Sequence, residues 1–311
     1  MNSEPILTII TPVFDGEKYL TETINSVINA KIDVPFEYLV LDDGSKDSTS
    51  TILKFFEDKI IIYSHQNIGE AETVNRGIKN ARGEFILVVS ADDPLINGEL
   101  INSAISIFKS NLSIVAIYPD WRTIDAFGHT LNSIILPEYS DEILIGHSKC
   151  LPGPGTLFRK DAALKIGGRN AKWRLVSDYD FWLRLSRVGK FQRLPGVHAQ
   201  WRQNPNSASI AQRGKLMAEE RINVIEDFIN KNVLPSKLIR KARGNAYYQA
   251  ARLTFFDSTI NGRQLLFEAF KHRRGWPEEA RLHEIIYLLL APLSSYLVYK
   301  FPRIIRRITS G

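Results

Sequence analysis

The chain has 311 residues, 44% of them hydrophobic and 24% charged, with a formal net charge of +6. That is the composition of an ordinary folded protein, and the length suits one large α/β domain of roughly 200 residues plus a smaller appendage. The single cysteine, Cys150, excludes an internal disulfide.

The charge is unevenly placed. Residues 1–210 hold 22 Lys and Arg against 25 Asp and Glu, whereas residues 211–311 hold 18 against 9. The basic C-terminal part suits an anionic partner, either a membrane surface or nucleic acid. The acidic N-terminal part argues against a nucleic-acid enzyme, because phosphate backbones call for Lys and Arg. The start, Met1-Asn2-Ser3-Glu4-Pro5, lacks the basic flank of a secretory signal, so a cytoplasmic location is expected.

In chain order, four short apolar runs come first: Ile6–Ile10, Tyr38–Leu41, Ile60–Tyr63 and Phe85–Val89. They are nearly continuous rather than alternating, the pattern of strands buried on both faces of a parallel sheet. Helical periodicity separates them at Tyr19–Ala30, Ser48–Phe56 and Glu70–Ala81, with N-cap candidates in Asp47-Ser48-Thr49. Strand alternating with helix predicts βαβ units and a doubly wound sheet.

A helix at Gly98–Lys109, a strand near Ile114–Tyr118 and an irregular stretch to about Pro137 follow. A further helix is predicted over Asp178–Val188. From Gly214 the pattern is helical without strands, at Lys215–Asn230, Lys237–Phe256 and Gln264–Phe270. The last two resemble a helical hairpin of the tetratricopeptide kind, too little for a repeat array. The predicted division is a domain over residues 1–212 and a basic helical region over 213–311.

Ligands of open α/β sheets sit outside the carboxyl ends of the strands. Here those ends carry Thr11-Pro12-Val13-Phe14-Asp15-Gly16, Asp42-Asp43-Gly44-Ser45 and Ser90-Ala91-Asp92-Asp93. Adjacent carboxylates repel and need a cation, a helix N-terminus or water beside them. A divalent metal carrying a diphosphate is one answer, since Mg²⁺ and Mn²⁺ commonly take one or two carboxylates plus phosphate oxygens. Each acidic pair also reads as a turn or cap. Neither phosphate-binding glycine motif, Gly-x-Gly-x-x-Gly nor Gly-x-x-x-x-Gly-Lys-Ser/Thr, is present, which weakens dehydrogenase and P-loop readings. His65, His129, His147 and His198 show no metal-ligand spacing.

The segment Ile9–Leu20, the run Leu41–Thr49, Gln66-Asn67-Ile68-Gly69 leading to Asn75-Arg76-Gly77, Gly83-Glu84-Phe85-Ile86 and Ser177–Leu185 occur in that order. Together with Ser90–Asp93 they resemble family 2 glycosyltransferases. The resemblance implies the Rossmann-like GT-A fold of nucleotide-diphospho-sugar transferases, an inverting mechanism and a divalent cation, Mn²⁺ or Mg²⁺. It also implies a UDP-, GDP- or dTDP-sugar donor and a glycan or lipid-linked sugar acceptor, in cell-surface polysaccharide assembly.

By position, the resemblance puts Pro12 and Phe14 in the nucleotide pocket and Asp42 at the base. Asp92 lies near the ribose, Asp93 with Asp92 holds the metal, and Asp178 is the general base. Asn75 belongs on the donor side, and Arg202, in an aromatic-Arg pair with Trp201, at the diphosphate, although an Arg there reads equally as half of a surface salt bridge. Asp180 reads as a structural or acceptor-side residue. Two positions depart from the family pattern: Ser90 stands where many members have Asp, and Ser177 where many have Glu.

Gly153-Pro154-Gly155 reads equally as a close approach to substrate and as a tight bend. The uncharged run Ile285–Tyr299, followed by Lys300, Arg303, Arg306 and Arg307, is too short to span a bilayer and reads as a buried helix or a membrane-interface segment. The rival functions are a sugar-phosphate nucleotidyltransferase, which should carry a basic Gly-rich loop after the first strand, and a non-catalytic sugar-nucleotide-binding protein.

Overall fold

The computed structural model describes residues 4–203, 214–254 and 259–274. The chain divides into two units: Met1–Ser140 with Cys150–Ile210, and Asp141–Lys149 with Ala211–Gly311. The Ile285–Tyr299 run and its basic neighbours lie outside the described residues.

In the first unit, β1 (Leu7–Val13), β2 (Phe36–Asp42), β3 (Ile61–Ser64) and β4 (Phe85–Val88) pair in parallel in the order β3-β2-β1-β4. The connecting helices are α1 (Leu20–Ile28), α2 (Thr49–Phe55) and α3 (Glu70–Asn80), as the periodicity predicts. Leu20, Ile24 and Val27 recur at helical spacing on one face of α1 and join Leu7, Ile9, Phe85 and Leu87 in the core. Leu100, Ile101 and Phe108 of α4 (Glu99–Ser110) pack into the same core. Each such fully buried side chain stabilises the fold by about 1.5–3 kcal/mol.

The N-cap of α2 differs in detail from expectation. Ser48 sits at the cap position without a side-chain bond. Asp47 does the capping, its Oδ1 accepting from both the backbone N–H and the hydroxyl of Thr49.

Beyond β4 the sheet is mixed rather than doubly wound in parallel throughout. The strand β7 (Leu157–Arg159) lies antiparallel between β4 and β5 (Ile114–Ile124). The stretch expected to be irregular holds the second half of β5 and its hairpin partner β6 (Thr130–Ile134). The short α5 (Lys160–Lys165) follows β7, and α6 (Ser177–Leu185) follows that.

A thirteen-residue strand, β8 (Lys190–Arg202), runs parallel to β5. Its hydrophobic alternation is broken by Pro195-Gly196, which hid it in the sequence. The register moves from Pro119↔Leu194 to Asp120↔Val197, so a bulge absorbs the two extra residues. The buried Asp120 carboxylate accepts from Gly196 N–H at this bulge and from the Arg193 guanidinium at 2.7 Å.

The second unit holds α7 (Lys215–Lys231), α8 (Ser236–Thr254) and α9 (Thr259–Arg273). Tyr248 and Ala251 of α8 pack on Leu266 and Ala269 of α9, which makes the expected helical hairpin. A single π-helical turn, Glu142–Gly146, belongs to this unit. Lys241 pairs with Glu142, and Asn245 Nδ2 donates to Gly146 O at 2.7 Å. No helix among the described residues is long and apolar enough to cross a membrane.

Candidate active site

The order β2-β1-β4 brings three strand ends side by side, about 4.8 Å per step. Pro12 is half-buried at the end of β1, and Phe14, just past it, is 49% exposed. The loops after β1 and β2 are laced together. Asp15 N–H donates to Ser45 Oγ and Lys46 N–H to Asp15 Oδ1, while Glu17 N–H donates to Asp47 and Ser48 N–H to Glu17.

The two acids after β2 take different parts. Asp42 is buried, and its Oδ1 accepts from Ser45 N–H at 2.9 Å; its other oxygen has no bond among the described residues. Asp43 is turned to the chain itself, accepting from Ile68 N–H at 2.6 Å and Gly69 N–H at 2.9 Å. It anchors the segment from His65 to Gly69, a role not read from the sequence. Gly44, at φ +77°, lets the turn pass: a Cβ there would lie 2.8 Å from Asn67 N.

After β4, Asp92 is half-buried and Asp93 only 8% exposed. Asp93 Oδ1 accepts the backbone N–H of Arg202 at 2.7 Å. Burial, and next the charge of Asp92, push the Asp93 carboxyl well above the usual carboxylate range, against the Arg202 N–H and Ser90 hydroxyl that lower it.

A divalent cation fits this pair chemically, because it would relieve the like-charge repulsion and accept oxygen ligands. Among the described residues no group of three or more His, Cys, Asp or Glu could form a cage. Asp92, the more open of the pair, is the better placed to reach a cation.

Arg202 is expected at the diphosphate, but the structure commits its side chain elsewhere. It is 1% exposed, and its guanidinium donates to Asp92 O, Asp125 O, Ala126 O and Glu22 Oε2 while lying 4.4 Å from the Tyr19 ring centroid. Five interactions on one buried guanidinium make it a clamp on the acidic loop.

Asn75 is likewise occupied. Its Nδ2 donates to Arg169 O at 2.8 Å and its Oδ1 accepts Arg169 N–H at 2.7 Å. Both ends of the amide thus hold the backbone of one residue in the loop after α5, and a Cβ at the adjacent Gly168 would collide with Asn75 Oδ1. Arg169 in turn bonds Glu70.

Asp178 stands exposed in the first turn of α6, where the helix dipole favours a carboxylate. Its Oδ1 accepts Tyr179 N–H at 2.7 Å, and its Oδ2 lies 3.8 Å from the Cys150 thiol. Cys150 begins the segment leading into β7. Because Leu157 pairs with Leu87 antiparallel, that segment enters at the end of the sheet where Ser90–Asp93 leaves β4. Asp178 and the acidic pair therefore share one end of the sheet.

Asp180, by contrast, is buried against Arg184 Nε at 2.8 Å and Trp173 Nε1 at 3.2 Å. Arg184 continues to Ile166 O and Gly168 O. The i,i+4 spacing of Asp180 and Arg184 was the available sequence signal.

The sequence profile of glycosyl transferase family 2 matches residues 8–167. An uncharacterized glycosyltransferase of Rickettsia typhi is 32% identical over 196 residues, which are 59% of this chain and 59% of that protein. The chondroitin synthase of Escherichia coli is 28% identical over 194 residues, covering 61% of this chain and 28% of the synthase. The matches thus span less than two thirds of these relatives. Among solved structures, the mannosyltransferase of Pyrobaculum calidifontis in complex with GDP-Man and Mn²⁺ superposes with a TM-score of 0.60 at 16% identity, over 97% of this chain and 83% of that one. With the mixed sheet, these likenesses establish that the chain belongs to glycosyl transferase family 2 and has the GT-A fold.

Proposed function

We propose that the protein transfers a glycosyl group, with inversion, from a nucleotide-diphosphate sugar to a hydroxyl of a carbohydrate acceptor. The observation that supports this most directly is the shared sheet end. It gathers Asp42, the Asp92–Asp93 pair and, through the segment from Cys150 into β7, Asp178.

Pro12, Phe14 and the uncommitted oxygen of Asp42 suit a nucleobase, the first two as an apolar wall and the third as an acceptor for a base N–H. Asp92 and Asp93 would hold Mn²⁺ or Mg²⁺, which when bound supplies charge to balance the departing diphosphate. Asp178 takes the proton of the acceptor hydroxyl as it attacks, a step that a neutral hydroxyl needs because it is a poor nucleophile. Attack from the face opposite the leaving group inverts the anomeric centre and needs one base and no covalent sugar–enzyme intermediate. Arg202 and Asn75 act through others: Arg202 holds the loop of Asp92, and Asn75 holds the loop of Arg169.

The donor is a UDP-, GDP- or dTDP-sugar, and the acceptor a glycan or lipid-linked sugar at the cytoplasmic face of a membrane. Nothing in the acidic first unit favours nucleic acid. The test is transfer by the purified chain across those three donor classes with Mg²⁺ or Mn²⁺. Binding of a donor nucleotide without turnover, against a panel of glycan acceptors, would leave only a sugar-nucleotide-binding protein.

A further inference from the structure

On β5 and β8, Trp121 and Trp201 form an edge-to-face pair, with ring centroids 6.2 Å apart and planes at 89°. The register Trp121↔Ala199 and Thr123↔Trp201 makes them diagonal neighbours on one face of the strand pair. Both are half-buried, and neither indole N–H has an acceptor among the described residues. Neither nitrogen is sealed from solvent without a partner, as buried unsatisfied atoms are. A core tryptophan in the same unit behaves differently: Trp173 is 3% exposed and gives its N–H to Asp180.

The third wall is Gly153. A Cβ there would stand 3.0 Å from Trp121 Nε1, so the absent side chain leaves the indole edge uncovered by carbon. Three residues before it comes Cys150, whose thiol faces Asp178 Oδ2. Three residues of chain reach at most about 11 Å, which keeps Gly153 within that distance of Cys150. On the other face of β8, Gln200 holds Pro94 O and Arg202 holds Asp92 O. The strand therefore carries the acidic loop on one side and the aromatic corner on the other.

We infer that Trp121, Trp201 and Gly153 form a subsite for a pyranose ring of the acceptor, next to the hydroxyl that Asp178 deprotonates. This rests on the glycosyl-transfer reading and names the acceptor class. A pyranose offers a flat patch of C–H on one face and hydroxyls at its rim. An indole face takes the first, and an unpaired indole N–H takes the second. An open-chain polyol or a lipid tail offers no such combination.

The test uses the full chain and simple probes: methyl β-D-glucopyranoside, methyl β-D-galactopyranoside and sorbitol, followed by saturation-transfer NMR. The expected result is saturation of ring protons in at least one pyranoside and none in sorbitol. Trp121→Ala and Trp201→Ala each weaken that binding about three- to tenfold, as loss of one aromatic contact does. Calorimetry with UDP or GDP and Mn²⁺ stays at the wild-type value. Should the alanine variants lose their far-UV circular dichroism, Trp121→Phe and Trp201→Phe decide, since they keep a ring and remove the N–H; each is expected to retain stacking with reduced affinity. Unchanged pyranoside binding in the folded variants overturns the subsite. So does wild-type protein that binds nucleotide but saturates neither pyranoside. Failure of nucleotide binding as well overturns the glycosyl-transfer reading itself.

Discussion

The backbone N–H of Arg202 donates to Asp93 Oδ1 at 2.7 Å, joining the end of β8 to a carboxylate 109 positions earlier in the chain. Side chain and main chain of one residue thus serve the acidic pair, since the Arg202 guanidinium also holds Asp92 O. The loop proposed to carry the cation is built from outside, before any ligand arrives.

That arrangement separates stability from function at Asp93. Asp93→Asn keeps an oxygen for the Arg202 N–H and removes a buried like charge beside Asp92. We expect it to melt at or above the wild-type temperature while metal-dependent binding of UDP or GDP is lost. A thermal melt paired with calorimetry checks both halves, and undiminished metal-dependent affinity would move the ligand role wholly to Asp92.

Arg202 should act the other way. Arg202→Ala strips four carbonyl or carboxylate partners of a buried donor, and is expected to cost roughly 2–4 kcal/mol of stability. Urea unfolding measures this. A variant as stable as the wild type that had lost only diphosphate affinity would restore the direct phosphate role.

For Asp178, the nearly isosteric Asp178→Asn cannot accept a proton. Donor affinity should hold while the transfer rate falls by roughly 10²–10⁴-fold. Near-normal transfer would place the base elsewhere.

The bulge between β5 and β8 gives a pH dependence. Burial works to raise the Asp120 carboxyl, but the Arg193 guanidinium and the N–H groups of Leu136 and Gly196 outweigh it and hold the group below the ordinary range. A depressed carboxylate stabilises the fold fully above its unfolded value near 3.9, and that contribution is lost as pH falls through the folded value. The stability difference between wild type and Asp120→Asn should therefore be constant from about pH 5 to 7 and shrink below about pH 4. Denaturant titrations at stepped pH would show it; a difference that grows on acidification contradicts the assignment.

The C-terminal run Ile285–Tyr299 with Lys300, Arg303, Arg306 and Arg307 is proposed to lie in a membrane interface. Each basic residue near an anionic surface contributes about 1 kcal/mol. The full chain should then sediment with anionic liposomes and be partly released by high salt, and a truncation near Ala280 should not sediment but still bind nucleotide. Indifference of the full chain to anionic liposomes at low salt would leave the run as a packed helix.

The features legible in the amino-acid order were local or nearly so. Continuous apolar runs marked β1 to β4, helical spacing marked α1 to α4, and adjacent acids at strand ends marked the place where a ligand belongs. Each of these signals lies within one turn or one strand, where neighbouring residues set the geometry. Tertiary structure alone decided what particular side chains do there. Asn75 looked like a donor contact until its amide met the peptide of Arg169, 94 positions away. Arg202 looked like a phosphate ligand until its guanidinium met Asp92 O, 110 positions away. Trp121 and Trp201 become a corner only through the register of β5 on β8, which a bulge at Pro195-Gly196 concealed. A polar side chain takes the partner that burial leaves it, and burial is settled by which distant segments the sheet brings together.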